Sequence, residues 1–552
     1  MKRVVSILSC VVLLLTVIFT VAACGKNGET DQLVIYNWAD YIYDTKLTDF
    51  KSYYKDLTGK DIEITYVTFD TNETMLTRLM QGDSNVDVVC PSEYAIQKLI
   101  ESNMLVPLNY FKKSEYRKGL SMSDEQFEEF FNGGDCDDNG VVVDSGNIEW
   151  GIIEKVSDED TFGKLVIEET GETVSMIDYF VPYMYGTLGI LYNKYAFMDL
   201  DIYDKEIMNK ANWGILFNDN GEDDILSPGL TGNILMKDSI RDSYAATIFY
   251  LKESGRLDGL RNENGDLYTS LPIGQLINAV DDQLLELCRK VLTEQKSQLF
   301  GYEVDFGKDD LLQGNAIVDL AWSGDALYAV EESWSDELDD YELAYYVPNG
   351  AGNIWFDGWV VPKTYNPDHM EAIKIFINFL NKAEIAAENM LEIGYTSAVD
   401  RDLVRTDSDA RAVLAEGYTV NCDYWERLDK DGKAVTEFDF DSWEEFEHYF
   451  FGGDDDDFDE MDDSNWRYPF VIKEGSVNRD LNSFGIMQDF GANNKKVVTM
   501  WNYARSAGVS ALPLLGWTAL AVAVALGVLF AVIGLKRWRS HTVTSPAKQL
   551  TE

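Results

Sequence analysis

The segment 353–362, NIWFDGWVVP, sets an indole and a carboxylate two residues apart in a run that reads as a β-strand. Alternation sends Trp355 and Asp357 to one face and Phe356 to the other, with Val360 and Val361 carrying the run on to Pro362. One strand face then offers a π-system and a negative charge together. An organic ammonium suits that pair, because the ring quadrupole attracts the cation while the carboxylate accepts its N–H donors. A lone strand tryptophan reads first as a core residue. The weight comes from recurrence, since aromatic and acidic side chains meet again in YNWADY (36–41), PSEY (91–94) and VDLAW (318–322).

Composition favours the same chemistry. The 552 residues carry 96 acidic against 46 basic side chains, a formal charge of −50, which repels phosphates and argues against a nucleic-acid partner. There are three histidines, His369, His448 and His541, and none has an HExxH or Cys/His spacing, so zinc chemistry and a histidine-based triad find no support. The sequence also lacks GxSxG, Walker A and GxGxxG motifs and any carboxylate pair at a defined catalytic separation. A non-catalytic protein without a cofactor is expected. Asp135, Asp137, Asn139 and Gly140 open like a calcium loop, but its twelfth position is Gly146 instead of a bidentate glutamate, so no metal site is assigned.

The ends read as export and anchoring signals. Lys2 and Arg3 precede an apolar run to Val21, and the boundary Val21-Ala22-Ala23-Cys24-Gly25 resembles the lipobox of bacterial lipoproteins. That resemblance implies a signal peptide over 1–23, a lipid on Cys24 and a polar tether over 24–32. Near the other end, residues 511–535 form an uncharged apolar run followed by Lys536-Arg537-Trp538-Arg539. The length predicts a transmembrane helix, and the basic flank predicts a cytoplasmic tail over 536–552 with the body outside. Cys90, Cys136, Cys288 and Cys422 are too scattered for a disulfide framework and are expected as buried thiols.

Between these ends, strands alternate with helices. Residues 33–41, 62–69 and 86–89 read as strands, and Thr71 or Asn72 and then Pro91 to Tyr94 open the helices between and after them. This spacing predicts a parallel α/β unit whose ligand sits at the carboxyl ends of its strands, where 37–41 and 92–94 lie. Taken in order, YNWADY, TNET (71–74), VVCPSEY (88–94), VPYMYGTLGILYN (181–193), MKDSIRDSY (236–244), VDLAWSGDA (318–326), NIWFDGWVVP, IGYTSAV (393–399) and IMQDFGA (486–492) resemble the spermidine/putrescine-binding lipoproteins of polyamine ABC importers.

The resemblance implies a two-lobed periplasmic-binding-protein-like α/β fold of type II with a cleft at its hinge. One lobe would comprise 33–185 and 351–505, carrying acidic insertions at 125–173 and 416–466, and the other 186–350. It further implies a ligand box of Trp38, Asp40, Tyr41, Ser92, Tyr94, Asp242, Trp322, Trp355, Asp357, Tyr395 and Gln488. A polyamine agrees with that chemistry, because its ammonium ends need carboxylates and its methylenes need flat apolar walls. Ala39 stands where the family commonly has a hydroxyl residue, and Ser239 where a second carboxylate often follows Asp238, which leaves open the choice between putrescine and spermidine. Expected partners are the polyamine, an ABC permease with its ATPase, and the membrane through a lipid anchor and C-terminal helix. The competing reading is a membrane-tethered receptor or sensor for another small organic cation or amino compound. In the insertions, aromatic residues such as Trp443, Phe446 and Phe450 predict a small packed unit beside a solvated acidic run.

Overall fold

The computed structural model describes residues 30–108 apart from 83–84, 161–199, 213–218, 230–418 apart from 339 and 349–350, 440–451, 484–506, and isolated positions at 148, 152, 156–158 and 420. The first unit is built from β1 (Thr30–Trp38), α1 (Asp44–Thr58), β2 (Asp61–Phe69), α2 (Asn72–Met80), β3 (Val88–Val89) and α3 (Glu93–Glu101). β1 pairs in parallel with β2 on one side and β3 on the other. β1 begins inside the expected tether, because Thr30 already pairs opposite Asp61 and Asp31 accepts the Tyr54 hydroxyl at 2.5 Å. Thr71 caps α2 by accepting the Thr74 N–H at 3.2 Å.

The second unit is a mixed eight-stranded sheet organised on β4 (Val181–Asn193), of which twelve of thirteen residues are buried. A strand covered on both faces needs a nearly continuous apolar run, which VPYMYGTLGILY supplies. β5 (Ile234–Lys237), α4 (Ile240–Glu253), α5 (Asp282–Gln295), β6 (Leu299–Glu303), α6 (Gly307–Leu312), β7 (Val318–Trp322), α7 (Ser323–Glu332), β8 (Leu343–Tyr346) and β9 (Gly352–Trp359) follow. After α8 (Met370–Leu380), α9 (Ala383–Ile393) and β10 (Thr396–Ser397) come α10 (Ser408–Gly417), α11 (Trp443–Phe451), β11 (Phe484–Gly485) and α12 (Asn494–Ser506). The sheet order is β11-β9-β4-β7-β5-β6, with β8 and β10 also paired to β4.

β9 joins the two units. It runs antiparallel to β4, with Trp355 opposite Gly186 and a register shift just after Asp357, and beyond that point Ser92 bridges Asp357 and Val89 bridges Val360. The irregularity lets one strand leave the large sheet and meet the small one. Phe356 faces the core shared by α3 and the large sheet, whereas Trp355 packs with the core of β1, α1 and α8, so the expected alternation places Trp355 and Phe356 in separate cores. Cys90 and Cys288 are buried free thiols, while Cys24, Cys136 and Cys422 lie outside the described residues.

The expected transmembrane helix is corrected. Among the described residues no helix is long and apolar enough to cross a membrane. The last, α12, has 13 residues and carries Lys495, Lys496 and Arg505, and at about 1.5 Å per residue it falls short of the roughly 30 Å hydrocarbon core. The apolar run 511–535 and the tail 536–552 lie outside the described residues, as do the signal 1–23 and the acidic run 454–463. Within the insertion 416–466, α11 buries Phe446 and Phe450 against Val404, Leu414 and Met390.

Candidate functional site

A cavity of about 640 Å³ opens between the two units where the strands end. β1 ends at Trp38, β2 at Phe69, β3 two residues before Pro91, and β7 at Trp322, and the segments that leave these ends form its walls. Ten of the residues named from sequence line it: Trp38, Asp40, Tyr41, Ser92, Tyr94, Asp242, Trp322, Trp355, Asp357 and Tyr395. The wall also holds Asp44, Asp70, Glu73, Glu93, Asp305, Asp309, Asp325 and Glu392, so among the described residues eleven acidic side chains accompany one basic residue, Lys308. Their summed field favours a cation strongly.

Asp357 is the centre of that arrangement. It is 6% exposed, and the Tyr41 hydroxyl donates to its Oδ2 at 2.9 Å, while Oδ1 has no hydrogen-bond partner among the described residues. Burial raises its pKa to about 7, against the effect of Ser92 and Tyr41, which favour the ionised form, and with that of Asp242, which opposes it. Glu93 stands behind it, fully buried, accepting the Phe356 N–H at 3.1 Å, and burial raises its pKa to about 8. A carboxylate kept half protonated by its surroundings is poised to ionise when an ammonium arrives.

Aromatic rings enclose this carboxylate. Trp355 and Tyr395 meet at 5.8 Å between centroids, Tyr41 and Tyr395 at 5.0 Å, and Trp38 leans on Phe69 at 4.4 Å. Tyr41 is fixed by the Tyr183 hydroxyl, which donates to its carbonyl at 2.9 Å. Two glycines make room for the rings, since a Cβ on Gly186 would stand 2.3 Å from Trp355 and one on Gly324 would stand 2.3 Å from Tyr395. Both lie in segments quoted above, but their role depends on what packs across the sheet.

Asp242 sits in the first turn of α4 with Ser239 as cap, and burial raises its pKa while Ser239, Lys237 and Trp322 favour its charge. Across the cavity, Asn72 donates to Ser92 Oγ and to the Tyr94 hydroxyl, each at 3.0 Å, and Tyr94 donates to Glu73 Oε1 at 3.3 Å. Ser92 Oγ therefore accepts in this cross-link and does not cap α3. Trp322 has the buried Lys237 ammonium 4.2 Å from its ring, and Lys237 itself pairs with Glu303 at 2.5 Å. Gln488 is the exception among the named residues. The cavity wall contains Met487, and the Gln488 N–H donates to Asn278 Oδ1 at 2.8 Å, where Arg241 also donates.

Two α/β units with a polar, aromatic-walled cavity at their junction suit the capture of a small solute. The chain belongs to the family of bacterial extracellular solute-binding proteins, whose model matches residues 47–401, well over half of it. It is 24% identical over 380 residues to the putrescine-binding periplasmic protein SpuD of Pseudomonas aeruginosa, covering 68% of this chain and 80% of that one. The putrescine-binding periplasmic protein PotF of Escherichia coli is 22% identical over 375 residues, covering 67% and 79%. The crystal structure of the TpPotD lipoprotein of Treponema pallidum superposes with a TM-score of 0.51 at 16% identity, covering 86% of this chain and 99% of that one. The last likeness is one of fold.

Proposed function

We propose that this protein captures a polyamine of the putrescine/spermidine class outside the cytoplasm and delivers it to an ABC permease driven by its ATPase. The observation that carries the reading is Asp357, buried, beside Trp355 and Tyr41, with one oxygen that has no donor among the described residues, inside a cavity whose described wall carries eleven acids. That geometry answers an ammonium and the apolar chain behind it. SpuD and PotF, both putrescine-binding periplasmic proteins, agree with it. They give no support to a sensor of another amino compound, and a solute-binding family is not a family of enzymes.

In this reading Trp355 and Asp357 hold one ammonium, Asp242 with Glu73 and Tyr94 receives another, and Trp38, Trp322 and Tyr395 wall the methylenes. The unit built on β1, β2 and β3 and the unit built on the eight-stranded sheet close on the ligand. Each ammonium gains about 1.5–3 kcal/mol from a charged hydrogen bond and about 1–2 from an aromatic face, enough for roughly micromolar affinity. Titration calorimetry of the full-length protein with putrescine, spermidine and glycine tests this. Binding of a polyamine and not of glycine is expected, and no heat from either polyamine at millimolar concentration would end the proposal. Cys24 is assigned as the lipid-bearing residue from its lipobox context, and metabolic labelling with a fatty acid that marks Cys24→Ala as strongly as wild type would remove that assignment.

A further inference from the structure

The cavity contains three acidic stations. Asp242, buried, and Glu73, half-buried, form the first, and the Asp242 charge adds to burial in raising the pKa of Glu73. Asp357 forms the second, holding the Tyr41 hydroxyl and near enough to Asp242 for that charge to raise its pKa. The third is Asp325 with Asp305 in the same cavity wall, where Tyr395, packed on Tyr41 and Trp355, feels the charges of both Asp325 and Asp357. The third station differs from the other two. The Lys308 ammonium donates to Asp325 Oδ1 at 3.0 Å and stands 5.5 Å from the centroid of the Tyr328 ring. A carboxylate and an aromatic face are what an ammonium ligand would seek, and here a side chain of the protein has both.

We infer that Lys308 is a resident cation that fills the third station, so that the cavity takes a diamine and disfavours a triamine. This rests on the polyamine reading above. A diamine places its two ammonium groups at the Asp242 and Asp357 stations. The third ammonium of a triamine, extending past Tyr395, would meet Lys308 and compete with it for Asp325, and like charges brought together at a desolvated site are strongly repulsive. Burial works against charge on Lys308, but Asp325, by proximity and hydrogen bond, more than offsets it, and Asp40 adds to the effect. The lysine therefore remains cationic throughout the physiological range.

The test is titration of full-length wild type, Lys308→Met, Lys308→Gln and Lys308→Arg with putrescine and spermidine. The inference expects the ratio of spermidine to putrescine affinity to rise at least about tenfold in Lys308→Met and Lys308→Gln, and to stay near the wild-type value in Lys308→Arg, which keeps the charge. Two neutral variants guard against one that fails to fold, and thermal melting identifies such a failure. An unchanged ratio in the folded neutral variant, with both amines binding wild type, would overturn the inference and leave the polyamine reading standing. Equal gains for both ligands would assign Lys308 to bulk charge alone and also overturn it. Failure of both amines to bind wild type would overturn the two together.

Discussion

Asp357 and Asp325 line one cavity and have opposite relations to the protein around them. Asp357 receives a neutral hydroxyl from Tyr41 and retains an oxygen without a donor among the described residues, whereas Asp325 is already bonded to the Lys308 ammonium. Burying a carboxylate without a cation is costly, and the cost appears at Asp357 as a pKa raised to about 7 by burial. An arriving ammonium relieves it. At Asp325 the protein has supplied its own cation, so a ligand must displace one charge to bring another. The difference shows that a count of acidic residues overstates binding capacity, and that those without an internal partner mark where a cation gains most.

The comparison breaks most directly at Asp357. Asp357→Asn keeps the shape and the Tyr41 contact but removes the charge, and putrescine affinity should fall by about tenfold to a hundredfold, or about 1.5–3 kcal/mol by titration calorimetry. Trp355→Ala should cost a similar amount, because it removes the cation's aromatic face and opens the wall to water. A loss under threefold in both would place the ligand elsewhere.

Acidity should produce an effect of about tenfold. With a pKa near 7, Asp357 is about one-tenth ionised at pH 6 and about nine-tenths at pH 8, while alkyl ammonium groups stay charged across that range. Putrescine affinity should then rise about tenfold from pH 6 to pH 8, with proton release on binding, and the rise should flatten in Asp357→Asn. Glu93, with its pKa raised to about 8, adds a second step at the upper end. Stability without added ligand runs the other way. Both folded-state values lie above the ordinary carboxylate value of about 4, so the stabilisation is full below about pH 4, declines as pH rises from there and is lost once pH passes the folded values of about 7 and about 8. Melting temperature without ligand should fall across that window, and the increment given by putrescine should grow.

A smaller effect is expected behind the ring wall. Gly186→Ala drives a methyl group toward Trp355, and overpacking of this kind costs about 1–3 kcal/mol of stability. The tilted indole should weaken putrescine by a few-fold, less than loss of the Asp357 charge. Affinity unchanged in a folded Gly186→Ala protein would show that Trp355 orientation contributes little.

Much of this site was legible in the sequence because its groups sit at strand ends with alternating aromatic and acidic character, as in Trp38 to Tyr41, Ser92 to Tyr94 and Trp355 to Asp357. Lys308 was not, since FGKDD (306–310) reads as a solvated helix start and only the fold sets it against Asp325 from the next helix. Glu73 was hidden for a similar reason, because only the fold brings the Tyr94 hydroxyl from the next helix onto it. Gln488 carried the right side chain, yet the local chain turns Met487 to the cavity and engages the Gln488 backbone with Asn278. β1 began earlier than its apolar pattern, because partner pairing, which alternation does not encode, extends a strand through polar residues such as Asp31.

The smallest effect is expected from an equal charge change away from the cavity, and it decides whether the comparison is local. The chain carries a formal charge of −50, so any cation is drawn to it and a nonspecific attraction would imitate weak binding. Glu286 lies on α5, its side chain 64% exposed and paired with Arg289, outside the cavity wall. Screening acts over about 8 Å at physiological ionic strength, so removing this charge should hardly reach a ligand at Asp357. Glu286→Gln should leave putrescine affinity within about twofold of wild type at 0.15 M salt, an ionic strength at which exposed charges are well screened. Asp357→Asn under the same conditions should retain its full loss, because a desolvated contact is screened far less than an exposed one. Equal losses in the two variants, both vanishing as salt is raised, would assign the attraction to net charge, and the distinction drawn between Asp357 and Asp325 would then have no bearing on binding.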